Sequence, residues 1–154
     1  MVSSRENPDP GALIRGYLTA TTLWGVQTAT ALGLSVAEYA TLMSLHLHGP
    51  ISAGQLVGTT RLSPAAISRL VDQLVERGFV RREPDAQDGR RALIALTDTW
   101  QAEIDQVVEP HRASSRQVFA QLSTEERAAV LRWMQLATEG TLAILDAAQQ
   151  PDPD

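Results

Sequence analysis

All thirteen basic residues of this 154-residue chain are arginines, and seven of them lie between Arg61 and Arg91. Five acids, Asp72, Glu76, Glu83, Asp85 and Asp88, share that stretch, which carries +2 against −7 for the rest of a chain whose total is −5. A guanidinium is a permanent cation with a planar fork of donors, a shape that matches phosphate oxygens and the O6/N7 edge of guanine. A basic segment inside an acidic protein points to a nucleic-acid face backed by a solvated scaffold, although an excess of +2 alone carries that inference weakly. Arg61, Arg69, Arg81, Arg82, Arg90 and Arg91 are the candidate contacts, with Arg81 and Arg82 as backbone clamps partly cancelled by the neighbouring acids.

Other side chains allow other chemistry. His46 and His48 raise a metal-sensor alternative, but two positions apart on a helix is about 200° of rotation, so their rings diverge, whereas helical chelation favours i and i+4. No metal and no cofactor are expected. Tyr17, Trp24, Tyr39, His46 and Trp100 are candidates to line a small-molecule pocket, against the plainer reading that they pack a core. Arg15 or His46 would suit an effector carboxylate. No phosphate loop, G-x-S-x-G elbow or H-E-x-x-H motif occurs, so an enzyme is not expected. The absence of cysteine excludes disulfides, thiolate metal sites and thiol redox sensing, and leaves the cytoplasm as the default compartment. No apolar run approaches the roughly 18 residues of a membrane span, so no membrane partner is expected. Residues 1–10, with no apolar stretch, read as a loose tail rather than a secretory signal, and 149–154 as a second tail.

The elements that must position the arginines follow from capping signals. Ser63-Pro64 is the strongest start in the chain, an N-cap hydroxyl followed by proline where its missing N–H costs nothing. Ile67, Leu70, Val71, Leu74 and Val75 then recur with helical period and Gly78 supplies the stop, leaving Ala65, Ser68, Arg69, Asp72, Gln73 and Glu76 on the other face. Upstream, a helix is predicted over about 11–31, bearing Leu13, Tyr17, Ala20, Trp24, Thr28 and Ala31 at helical spacing and ending at Gly33. Ser35 and Glu38 form a capping box for a second helix with Val36, Ala40, Met43 and Leu47 on one face, closed by Gly49-Pro50. Ser52 and Gln55 open a third of barely two turns. Beyond the arginine helix, Phe79–Arg82 and Ala92–Thr97 read as two strands around a turn-rich Pro84–Gly89. A long helix over about 98–121 is expected to kink or split at Pro110, and a Ser123/Glu126 box starts the last helix, which runs to about Ala148.

Short helix, three-residue turn, longer helix and hairpin is the order of a winged helix-turn-helix. The longer helix fits a major groove about 12 Å wide if its outer face is slim, and Ala65, Ala66 and Ser68 are small. Ser63 and the first-turn amides around Pro64 and Ala65 would meet phosphates, Arg69 a phosphate or guanine, and the hairpin tip an adjacent minor groove.

The stretch from Leu34 to Thr97 resembles the MarR family of bacterial regulators. "LSPAAISRLVDQLVERGFVRR" is similar to that family's recognition helix and first wing strand, "DAQDGRRALIALT" to its wing, and "LSTEERAAVL" to the start of its last helix. The resemblance implies a mostly α fold with a small β-hairpin wing. The DNA-binding lobe would occupy 34–97, and 11–33 with 98–148 would form a helical region for homodimerisation. It also implies Asp88 orienting Arg90 toward the minor groove, a near-palindromic operator in double-stranded DNA, repression, and release by a small aromatic or phenolic effector. Two departures stand out: Thr60-Arg61-Leu62 occupies a turn where such families often place glycine, and Trp100 stands near a position usually held by glycine. The rival reading is a dimeric ligand-binding or protein-interaction protein of the same fold that lacks DNA affinity.

Overall fold

A computed structural model describes residues 9–89 and 91–148. In chain order it contains α1 (Pro10–Ala31), α2 (Val36–His48), β1 (Ile51–Ser52), α3 (Ala53–Thr60), α4 (Pro64–Glu76), β2 (Val80–Pro84), β3 (Ala92–Leu96), α5 (Asp98–Ala120) and α6 (Thr124–Ala148). The chain divides into two units, one ending at Val107 and the other beginning at Val108, a division that falls within α5.

The capping signals act as the sequence indicates. Ser35 and Glu38, and likewise Ser52 and Gln55, form reciprocal boxes in which the hydroxyl accepts from the third helical amide and the longer side chain accepts from the cap amide. The core of the first unit gathers Leu42 and Leu45 of α2, Leu56 of α3, Ile67, Val71 and Leu74 of α4, Val80 of β2 and Ile94 of β3, all buried. Thr41, buried among them, returns its hydroxyl to the Ala37 carbonyl.

The structure settles four points that the sequence left open. The face Val36–Ala40–Met43–Leu47 is not the buried face of α2: Val36 and Leu47 are exposed, and Thr41, Leu42 and Leu45 point inward. At about 100° per residue the two stripes are nearly opposite, and a helix apolar on both sides gives periodicity no means of choosing. On α1 only Ala29 is buried, while Leu13 and Tyr17 from the apolar spacing are exposed. The hairpin is a three-stranded antiparallel sheet of order β1-β3-β2, because Ile51 pairs with Ile94 and Ser52 with Leu93. Two residues are too few for alternation to reveal a strand, and Ser52 also caps α3. Finally, α5 is not split: it continues through Pro110 as one helix.

The turn between α3 and α4 is made without glycine. Arg61 itself takes the left-handed conformation, φ 58° and ψ 19°, the one non-glycine residue among those described with a positive φ. Left-handed backbone costs an L-residue about 1–2 kcal/mol, least for asparagine and most for a β-branched side chain. Arg61→Val is therefore expected to be less stable than Arg61→Asn by roughly 1 kcal/mol or more in urea unfolding. Both variants lose the arginine side chain, so equal stabilities would contradict the left-handed assignment.

In the second unit, the Arg127 side chain closes the end of α5, its Nε donating to the Phe119 carbonyl at 3.1 Å and its Nη2 to the Ala120 carbonyl at 2.9 Å. These are the orphan acceptors that a helix terminus leaves behind. Ser123 and Glu126 complete the expected capping box of α6. No residue of α6 is buried, and Leu131, Trp133, Met134, Leu136, Leu142, Ile144 and Leu145 are exposed.

Candidate nucleic-acid interface

The candidate site is built on α4. Its inner stripe of Ile67, Leu70, Val71 and Leu74 is buried, which turns Ser63, Pro64, Ala65, Ser68, Arg69, Asp72, Gln73 and Glu76 to solvent. The Ser63 hydroxyl accepts from the Ala66 amide at 3.2 Å and the Ser63 carbonyl from the Ile67 amide at 2.9 Å. Pro64 has no N–H, so the Ala65 amide and the Ser63 hydroxyl proton are what the first turn still offers an anion, at the positive end of the helix dipole.

The arginines divide by what holds them. Arg77 stacks over the Phe79 ring at 4.3 Å, donates through Nη2 to the Gly33 carbonyl at 3.2 Å, and pairs through Nη1 with Glu38. It is a tie between the end of α4 and the start of α2. Arg81 donates to the Leu96 carbonyl and lies within ion-pair distance of Glu83 and Asp98, at 3.1 and 3.4 Å. Arg82 donates to Asp72 of α4 at 2.7 Å. Arg91 lies 3.3 Å from Asp88. Arg69, exposed on the outer face of α4, is the described arginine of this stretch with no hydrogen bond or ion pair among the described residues. Arg90 falls outside the described residues, and with it the expected pairing to Asp88. Around the turn, the Asp85 carboxylate accepts from the Gln87 amide at 2.8 Å, and the Arg91 amide donates to the Asp88 carbonyl, also at 2.8 Å.

The ties at Arg77, Arg81 and Arg82 are what sequence reading missed. Glu38 and Arg77 are thirty-nine positions apart, and only the packing of α2 near the end of α4 brings them together. Burial alone would raise the Glu38 carboxyl, but the Ser35 amide and hydroxyl and the Arg77 guanidinium outweigh it and hold the group below the usual carboxylate range. A carboxyl whose folded value is lowered contributes stability that is complete above its unfolded value and is lost as pH falls through the folded one. Glu38→Gln keeps an acceptor for the Ser35 amide but not the charge. Because Arg77 is partly exposed, the expected deficit of Glu38→Gln is about 1 kcal/mol at neutral pH. That deficit is expected to vanish as both proteins are titrated into the acid range, read from melting temperatures. A deficit that stays constant with pH would show that the charge is not what Arg77 uses.

A groove of about 290 Å³ lies between α3, α4 and the sheet, lined by Val57, Pro64, Ile67, Ser68, Arg82 and Ile94 among others. The five pocket candidates lie elsewhere. Tyr17 is exposed on α1. Tyr39 sits beside Gly25 of α1, where an added Cβ would lie 3.7 Å from its ring, and burial raises its phenol above the ordinary value. Trp24 is half-buried on α1. His46, its side chain 7% exposed, receives Gln101 Nε2 at Nδ1 at 2.9 Å, and its Nε2 lies 3.7 Å from Asp105. Trp100 packs on Phe79 with ring centroids 3.9 Å apart, filling the base of the wing. Among the described residues no group of three or more His, Cys, Asp or Glu side chains is placed to hold a metal ion.

A slim, capped helix face with an exposed cation, flanked by a short antiparallel sheet, is a surface that can offer donors to phosphates and to base edges together. Known proteins agree with that geometry. A family model described as the MarR family matches residues 32–91. The chain is 32% identical over 98 residues to the HTH-type transcriptional repressor NicR of Pseudomonas putida, a match covering 64% of this chain and 62%, less than two thirds, of NicR. It is 32% identical over 114 residues to the uncharacterized HTH-type transcriptional regulator YcgE of Bacillus subtilis, covering 74% of each. Among solved structures, Bordetella bronchiseptica BpsR, whose DNA binding is regulated by 6-hydroxynicotinic acid, superposes with a TM-score of 0.54 at 22% identity over 85% of this chain and 94% of its own. With its capped α4, its wing and these likenesses, the chain belongs to the MarR family of winged helix-turn-helix proteins.

Proposed function

We propose that the chain is a sequence-specific DNA-binding repressor, cytoplasmic, acting as a homodimer on a pseudo-palindromic operator and released by a small aromatic or phenolic effector. The observation that carries this reading is Arg69, a cation without a partner among the described residues, on a helix face otherwise small at its start. Ser63, Pro64, Ala65, Ser68 and Gln73 surround it as groove contacts, while Arg90 and Arg91 of the wing reach the minor groove and Asp88 orients Arg90. Arg61 supplies a backbone contact beside the turn. Arg81 and Arg82 would have to exchange intrachain partners to clamp phosphates.

Dimerisation is supported by apolar side chains left in solvent on α1, Leu13, Tyr17, Leu18 and Leu23, and by those of α6. Such surface calls for a partner, and a second copy would place two recognition helices about 34 Å apart, one helical turn of DNA. Among the described residues no helix is long and apolar enough to cross a membrane. The effector proposal rests on BpsR and its aromatic acid, with Trp24, Tyr39 and His46 as the residues to test first and Tyr17 and Trp100 after them. Effector binding would act by shifting the population toward a helix spacing that no longer matches the operator.

The test is binding of the purified protein to the DNA upstream of its own gene across a salt series. Tight binding whose logarithm falls linearly with log salt supports the reading. Weak binding indifferent to sequence there, and again with a genome-wide pool of fragments, would favour the dimeric ligand-binding protein without DNA affinity.

A further inference from the structure

Asp72 lies one turn beyond Arg69 on the outer face of α4, at the i,i+3 spacing where a carboxylate and a guanidinium meet on a helix. Yet its carboxylate is occupied from elsewhere: Oδ1 accepts from Arg82 Nη2 at 2.7 Å, across from strand β2. Two arginines therefore compete for one acid, and in this structure Arg82 holds it while Arg69 extends into solvent.

We propose that Arg82 is a positioning residue which, by occupying Asp72, keeps the Arg69 guanidinium available for DNA. The inference rests on the proposed reading of α4 as the recognition helix. Register fixes the brace: Arg82 pairs with Ile94 of the central strand β3, so its side chain starts from a set height beside the helix. The pair also neutralises a negative charge on the face that would approach phosphates, where Glu76 is the other acid of α4 and Arg69 the one cation of that helix. Both partners are about half exposed, so the pair adds little to stability. Its consequence is which arginine is left free.

Without Arg82, Asp72 captures Arg69. Arg82→Gln is thus expected to weaken binding to the duplex selected by the wild-type protein by about 10-fold, approaching Arg69→Ala, and to blunt discrimination against a duplex altered at one base pair. Adding Asp72→Asn to Arg82→Gln is expected to restore affinity to within about threefold of wild type, the coupling expected of residues in one network. Glu76→Gln removes the same charge from the same face without freeing Arg69, and should not rescue. A double variant that stays weak would make Arg82 a phosphate clamp in its own right. Equal rescue by Glu76→Gln would reduce the effect to net charge. Either result overturns the proposal.

A readout without DNA separates this inference from the function it rests on. The Arg69 side-chain Nε–H resonance is expected to exchange slowly in Arg82→Gln and quickly in both the wild type and the double variant. Rapid exchange in all three overturns the capture even if the protein binds DNA. Slow exchange in Arg82→Gln alone would support the capture even if the wild type bound no DNA.

Discussion

Replacing Arg69 with alanine is expected to lower affinity for a specific duplex by roughly 10- to 100-fold at fixed moderate salt. The unfolding free energy should meanwhile stay within about 0.5 kcal/mol of wild type. The asymmetry follows from how the side chain is held. Arg69 is exposed and bonded to nothing in the described chain, so its removal opens no cavity and strands no acid. Its value would be realised only on DNA, where a forked contact to guanine is worth about 1–3 kcal/mol of discrimination. Two readouts tell base from backbone contact. Loss of discrimination between the selected duplex and one altered at a single pair means a base contact. Uniform weakening with a salt slope shallower by about one unit means a phosphate contact. An affinity within threefold of wild type would remove Arg69 from the interface and leave the proposed function without its main support.

Much of this site could be read from local chemistry. Ser63, Pro64 and Gly78 mark where α4 begins and ends because capping is decided by neighbours in sequence. The same holds for the boxes at Ser35, Ser52 and Ser123. What the sequence could not settle is which face of an all-round apolar helix turns inward. In α2, Leu42 and Leu45 go to the core while Val36 and Leu47 stay in solvent, although both stripes have the same period. The partners of the arginines were equally hidden. Charge counting treats seven arginines as one basic patch, whereas tertiary packing commits Arg77 to Glu38 and Gly33, and Arg82 to Asp72. The acids in this stretch consequently do more than dilute the field: they decide which cations remain available. Trp100 illustrates the reverse case, in which a departure from the family pattern has a local explanation, since its ring covers Phe79 at the base of the wing.

Leu56→Ala is expected to cost about 3 kcal/mol of stability, the largest effect of any single change considered. Helix α3 has eight residues, Ala53–Thr60, too few to persist alone in water. Its one buried residue is Leu56, 0% exposed, so the hydrophobic anchorage of the helix that supports α4 depends on one side chain. The remaining ties lie nearer the surface: half-buried Val57, the Ser52 and Gln55 cap at one end, and at the other the Ser44 hydroxyl donating to Thr59 at 2.7 Å. Truncation to alanine leaves a cavity at a fully buried position, which closely packed neighbours fill only in part. Urea unfolding at fixed protomer concentration is the measurement, since a dimer's apparent stability moves with concentration. Leu56→Met, which conserves volume, should lose less than about 1.5 kcal/mol. DNA affinity should follow the alanine variant's unfolding curve, falling as α3 and α4 come apart, in contrast to Arg69→Ala, where affinity falls and the unfolding curve stays in place. A loss below about 1 kcal/mol for Leu56→Ala would mean that the site relaxes to fill the gap. The alignment of α4 would then have to be carried by its own contacts with the sheet.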